Sequence, residues 1–328
     1  MNFLLRRSFQ CRRQKLDLPS TSTLRRSVFS LSWAQSYLSL RNTTGIRLLT
    51  NTSNLSYEEY IPSNGNKTSG AVVILHGLFG SKRNFASLCK AFLRDLDRPI
   101  YALDLRNHGS STHVTPMTYE AMATDVRHFI DKHGLKDVSI LGHSMGGKVA
   151  MTLALSLSLP NLATLIVSDI APIRSSLSPS FKRYLDAMAR ISDPPSNIRT
   201  REEADSALKA DEEDLGVRQF LLTNLTVPPR QSNETVKFKI PVNILSDAIV
   251  DIGSFPYVLD GPHKWQGRTL VVKGAKSDYI NDSSLPAFKA FFPNMQFETL
   301  DTGHWVHAEK PNEFKKMVVD FILGKLRS

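Results

Sequence analysis

Residues 139–151 read SILGHSMGGKVAM: an apolar run that stops, a serine set between two glycines, and an alanine- and leucine-rich run that follows. If 138–141 is a buried strand and 146–159 a helix, Gly142-His143-Ser144-Met145-Gly146 is a strand-to-helix turn too tight for side chains at either glycine. Such a turn presents Ser144 alone at the top of a sheet. The fold therefore depends on whether the rest of the chain supplies that sheet.

Short β-branched runs alternate with helical patterns from residue 70 onward, the signature of a parallel α/β sheet. AVVILHG (71–77), PIYALDL (99–105), VSILGHS (138–144), LATLIVSDI (162–170), RTLVVKG (268–274) and MQFETLD (295–301) read as continuous apolar strands, as a sheet covered on both faces requires. YEEYIPS before them suits an antiparallel edge. NFASLCKAFLRDL, TYEAMATDVRHFIDKHG and 311–326 carry helical spacing. The stretch 172–267 breaks the alternation with helical patterns and two Pro-Pro pairs, and it reads as a helical cap inserted between core segments 51–171 and 268–328. A cap there lies over the carboxyl edge of the sheet, where ligands bind in open α/β folds.

The net charge of +10 is concentrated at the start of the chain. Residues 1–50 hold nine Lys/Arg and one acid, leaving 32 basic and 30 acidic residues elsewhere, so no basic groove for nucleic acid is expected. An arginine- and serine-rich, nearly acid-free leader has the composition of a mitochondrial transit peptide, and no transmembrane span is expected. Of the two cysteines, Cys11 lies in the leader and Cys89 on an apolar helical face, which leaves neither a disulfide framework nor a cysteine metal site. No His, Asp or Glu spacing suits a metal, and no bound cofactor is expected.

A serine hydroxyl is a weak nucleophile near neutral pH, so Ser144 needs a base, and the base needs an acid to orient it. For a nucleophile on such a turn, the acid and then the histidine follow in chain order. His304 in DTGHWVHAEKP stands after the last strand and is the candidate base, whereas His307 reads as a polar loop residue. Asp169 in LIVSDIAP and Asp278 in VVKGAKSDYI both end strands, and spacing alone leaves the acid open between them. The oxyanion of acyl transfer needs two N–H donors; Met145, after the nucleophile, and Leu78 in HGLFGS are the candidates. Asp104, Arg106 and His108 in LDLRNHGSS read as a buried supporting turn, Lys148 as a structural cation, and ADEEDLG as a solvated cap face.

HGLFGS, DLRNHGSS, GHSMGGK, SDIAP and GHWVHAEKP, in this order over roughly residues 55–328, resemble the GHSMGGK branch of the α/β-hydrolase superfamily. That branch includes bacterial esterases, mitochondrial abhydrolase-domain proteins and fungal mitochondrial ethanol acetyltransferases, and with its leader the chain is most similar to the last. The resemblance implies an α/β-hydrolase fold with a catalytic Ser144, Asp169 and His304, and it favours Asp169 over Asp278. It also implies an acyl-enzyme: Ser144 takes an acetyl group from acetyl-CoA, and ethanol, another short alcohol or water removes it. Alcohol acetyltransfer with thioesterase and esterase side activity is the expected function. A hydrolase of short-chain or lipid esters is the alternative, and an idle binding fold a second. Residues 174–260 hold 11 basic and 13 acidic side chains, with no evident clamp for CoA phosphates.

Overall fold

The computed structural model describes residues 53–326 except 157, 158 and 176, so the expected transit peptide over 1–50 lies outside the described residues. Seven strands form one sheet: β1 (Tyr57–Tyr60), β2 (Gly70–Leu75), β3 (Ile100–Leu103), β4 (Lys136–His143), β5 (Leu162–Ser168), β8 (Arg268–Gly274) and β9 (Met295–Leu300). Their order is β1-β3-β2-β4-β5-β8-β9, parallel throughout except for β1, which pairs antiparallel with β3 as the YEEYIPS reading expects. This is the expected α/β fold.

The continuous apolar strands follow from burial on both faces. Along β2, Ala71, Val73 and Leu75 pack into one buried cluster and Val72 and Ile74 into the other, the period-2 alternation of a strand between two layers. One layer contains α1 (Ala86–Leu96) and, at the end of the chain, the helix Pro311–Ile322, which bury Cys89, Phe92, Phe314 and Phe321. The other contains α2 (Tyr119–Lys132) and α3 (Met145–Leu155). Cys89 is fully buried, and burial pushes its thiol up to about 12, the inert core cysteine that its apolar face suggests.

Between β5 and β8 run α4 (Pro179–Ser192), α5 (Arg201–Leu208), α6 (Leu215–Leu221), a two-strand ladder of β6 (Leu225–Thr226) and β7 (Lys237–Phe238), α7 (Val242–Asp247) and α8 (Ile249–Gly253). The helical pattern of this stretch misses the ladder because two-residue strands carry no readable alternation. Another correction concerns ADEEDLG. Asp211 pairs with Arg190 and the Tyr184 hydroxyl donates to Glu212, so only its later acids, Glu213 and Asp214, are exposed.

Specific hydrogen bonds fasten this segment to the core. Lys148 Nζ, on α3, donates to Gly253 O (3.1 Å) and Ser254 O (2.9 Å) at the end of α8, where a cation meets carbonyls left free by the helix. Burial brings the Lys148 ammonium down to about 8, and the two carbonyls give it the structural role expected. Tyr119 Oη donates to Ile252 O, and Asn224 Nδ2 donates to Phe79 O.

The LDLRNHGSS turn is a buried support, as expected, with two partners distant in sequence. Asp104 pairs with Lys82, and the Arg106 guanidinium makes a two-pronged pair with Asp125 at 2.6 and 2.7 Å, both side chains almost wholly excluded from water. Removing one member leaves the other charge buried and alone, which costs about 3–5 kcal/mol. Arg106→Met should therefore lower the urea unfolding free energy by about that amount, and adding Asp125→Leu should recover part of it. A single-variant loss below about 1 kcal/mol would remove this pair from the fold's supports.

Candidate active site

The turn after β4 has the geometry required to expose Ser144. Ser144 sits at φ 52°, ψ −121°, a position that an L residue holds only under constraint. The constraint is visible: Ser144 N–H donates to Ser168 O (3.0 Å), and Lys148 N–H donates to Ser144 O (3.1 Å). A Cβ on Gly142 would lie 2.2 Å from Gly146 O, and one on Gly146 would lie 2.5 Å from Leu75 O, so both positions exclude a side chain. Helix α3 starts at Met145, one residue before the expected start, and ends at Leu155, short of the expected 159. Met145 N–H is thus one of the N-terminal donors without an intrahelical acceptor.

Asp169 and His304 meet, and Asp278 stays outside. Asp169 is fully buried just past β5, at φ 50°, and its Oδ2 lies 2.7 Å from His304 Nδ1. Its Oδ1 accepts Gly274 N–H (2.9 Å), and the Ser277 hydroxyl donates to Oδ2. Three donors thus fix the carboxylate. Asp278 is exposed on the segment whose preceding residue, Ser277, turns inward to Asp169. His304 Nε2 and Ser144 Oγ have no hydrogen-bond partner among the described residues, and both residues line one cavity. Free-state catalytic hydrogen bonds commonly tighten only on substrate.

Three other imidazoles set the surrounding backbone. Leu105 N–H donates to His76 Nε2 (3.0 Å), so Nδ1 carries the proton and donates to Gly77 O. By the same logic His108 Nε2 accepts Phe79 N–H (3.1 Å) and Nδ1–H donates to Arg106 O. Burial lowers both, His108 to about 3, which keeps them neutral and able to accept. Phe79 N–H is used by His108 and Gly80 N–H by Gly77 O, whereas Leu78 N–H has no partner among the described residues and is available to a ligand. His143, the residue before the serine, donates from Nε2 to His304 O (2.9 Å) and anchors the loop that carries the candidate base.

His307 departs from its expected place. It is 6% exposed in the short helix Val306–Glu309, stacked on Phe85 with ring centroids 4.5 Å apart. Burial lowers it to about 3, and it is a packed wall of the site rather than a polar loop residue. Sequence reasoning missed Ser277 and the backbone clamp of His143. The only sequence signal for Ser277 is its place beside Asp278 on the segment that follows the apolar run of β8.

The cavity over Ser144 has a volume of about 550 Å³, within the range of small-molecule sites. Leu78 and Phe79 line it from the core and Phe181, Tyr184, Val217 and Phe220 from the inserted segment, while among the described residues Glu309 is its one lining carboxylate and no Lys or Arg lines it. Among the described residues no group of three or more His, Cys, Asp or Glu could hold a metal ion, and no helix is long and apolar enough to cross a membrane.

Comparison with known proteins agrees with this architecture. The family profile described as alpha/beta hydrolase fold matches residues 70–311. An abhydrolase domain-containing protein of Schizosaccharomyces pombe is 43% identical over 76% of this chain and 91% of its own. A probable alcohol acetyltransferase of Saccharomyces cerevisiae is 40% identical over 76% of each chain. An sn-1-specific diacylglycerol lipase of Danio rerio is 36% identical over 82% of each. A solved marine microorganism esterase superposes with a TM-score of 0.71 at 34% identity, covering 81% of this chain and 98% of that one.

The carboxylate geometry makes the two aspartates separable. Asp169→Asn should lower ester turnover by orders of magnitude because the imidazole loses its orienting charge, while Asp278→Asn should stay near wild type in a chromogenic ester assay. The reverse ranking would reassign the acid.

The buried imidazoles also set an acid limit to stability. His108 and His307 stay neutral in the fold down to about pH 3, whereas in the unfolded chain they bind a proton below about 6.5. The unfolded chain therefore holds more protons across that window, and stability falls as pH drops through it, by about 1.4 kcal/mol per pH unit for each group. His307→Phe, which preserves stacking on Phe85, should flatten the slope of unfolding free energy against pH by about that amount. An unchanged slope in urea titrations would show that His307 is protonated in the fold.

Proposed function

The chain belongs to the α/β-hydrolase fold family, and from that premise we propose that it is a serine-dependent acyl-transfer enzyme acting on uncharged carboxylic esters through an acyl-Ser144 intermediate. The observation that carries this reading is the buried Asp169–His304 pair, 2.7 Å apart, opening onto the same cavity as the strained Ser144. In it, Ser144 Oγ attacks the ester carbonyl and its proton passes to His304 Nε2. Asp169 holds the imidazole by Nδ1–H and stabilises the imidazolium. The oxyanion is received by the N–H groups of Leu78 and Met145. The leaving alcohol takes the proton from His304, and water or a second alcohol then attacks the acyl-serine by the reverse path.

Substrate class follows from the lining. A cavity walled by Phe79, Phe181, Tyr184 and Phe220, without Lys or Arg among the described residues, favours apolar acyl groups on neutral donors. A second reading, acetyl transfer from acetyl-CoA to ethanol, is favoured by the name of the Saccharomyces cerevisiae relative at 40% identity. It places the anionic part of the donor outside the cavity.

Purified protein incubated with p-nitrophenyl butyrate, and separately with acetyl-CoA and ethanol, tests both readings by chromatography of acids and ethyl esters. Turnover of the neutral ester should fall about a thousandfold or more in Ser144→Ala. Normal turnover by the folded variant would end the proposal. Ethyl acetate formed from acetyl-CoA would establish the second reading, and acetate alone would confine it to hydrolysis.

A further inference from the structure

The segment after β8 meets the site twice. On this turn-and-bend segment Ser277 is buried, Asp278 exposed and Tyr279 half-buried. The Ser277 hydroxyl donates to Asp169, and the same oxygen accepts Tyr279 N–H at 3.3 Å. Tyr279 then lays its ring on the His304 imidazole, with centroids 4.1 Å apart and planes inclined by 27°. The stacked arrangement sets His304 against the face of the ring, and the Tyr279 hydroxyl has no hydrogen-bond partner among the described residues.

We propose that Tyr279 is a positioning residue for His304: its ring face holds the imidazole in the orientation set by Asp169 and favours the imidazolium formed when the Ser144 proton reaches Nε2. The inference rests on the acyl-serine reading and adds a residue to it. An aromatic face carries negative charge density and attracts a cation more strongly than a neutral ring. The contact therefore strengthens as charge develops on His304, and an interaction that strengthens on approach to the transition state raises kcat rather than tightening substrate.

The other groups around His304 leave this role to Tyr279. Asp169 holds Nδ1 from the edge of the ring. The His143 ring lies 4.7 Å away and Trp305 6.4 Å away, neither in a stacked arrangement. His143 and His307 are kept neutral by burial and place no opposing charge beside the imidazolium. With Ser144 and His304 not yet hydrogen-bonded, the stack and the Asp169 contact together fix the direction of Nε2.

Two variants separate orientation from packing. Tyr279→Phe preserves the face and Tyr279→Leu removes it, and both are assayed with p-nitrophenyl butyrate beside wild type. The expected result is a fall in kcat of about tenfold in Tyr279→Leu with KM changed less than about twofold, and a kcat within about twofold of wild type in Tyr279→Phe. Labelling of Ser144 by a fluorophosphonate should slow in the same order, and it reads base-assisted attack whatever the natural ester. Equal losses in both variants, a Tyr279→Leu that keeps its kcat, or a change confined to KM would each overturn the role. Ester turnover by Ser144→Ala, measured alongside, would instead overturn the acyl-serine reading and leave the labelling comparison to decide on Tyr279.

Discussion

Everything at this site depends on how closely the strand before Ser144 and the helix after it approach the neighbouring backbone. A side chain on Gly142 would collide with Gly146 O, and one on Gly146 with the carbonyls of Leu75 and His76 at the end of β2. That contact brings the start of α3 against the β2 loop, so the N–H groups of Met145 and Leu78 come from two segments held together by backbone packing. The constrained dihedrals of Ser144 are the local cost, and a hydrogen bond to β5 on one side and the first bond of α3 on the other hold them.

Neutral imidazoles make up much of the surrounding layer. His76 and His108 each accept one backbone N–H and donate to one carbonyl, a pairing that only the singly protonated ring can make. Burial removes the charged form and so keeps both functions. The loop that offers Leu78 N–H is fixed by these rings from the core and by Asn224 from the inserted segment. Helix α3 is tied to the end of that segment through Lys148. Cavity walls and the backbone around Ser144 are therefore coupled by short polar contacts rather than by apolar packing alone.

Legibility in the sequence followed the range of the physics involved. The parallel sheet could be read because strands buried on both faces must be continuously apolar, and β8 runs over Arg268–Gly274 as its apolar run indicates. The β6–β7 ladder left no such trace. His307 reads as a loop residue because it falls between the last strand and the last helix, yet Phe85, distant in sequence, supplies the surface that buries it. Ser277 and Tyr279 were hidden beside the more conspicuous Asp278.

The sequence by itself determined the α/β architecture, the glycine-flanked turn at Ser144 and the reading of His304 as the base, because these rest on local constraints: sheet burial, backbone crowding and chain order. Only the tertiary structure decided which aspartate reaches His304. Asp169 directly follows β5 and points inward beneath Gly274 N–H and the Ser277 hydroxyl, while Asp278 lies beyond the turn after β8, on a bend, and is exposed. Which carboxylate faces inward is set by the turn after β8 and by the donors that chain segments distant in sequence bring to it, and no single stretch of sequence carries those contacts.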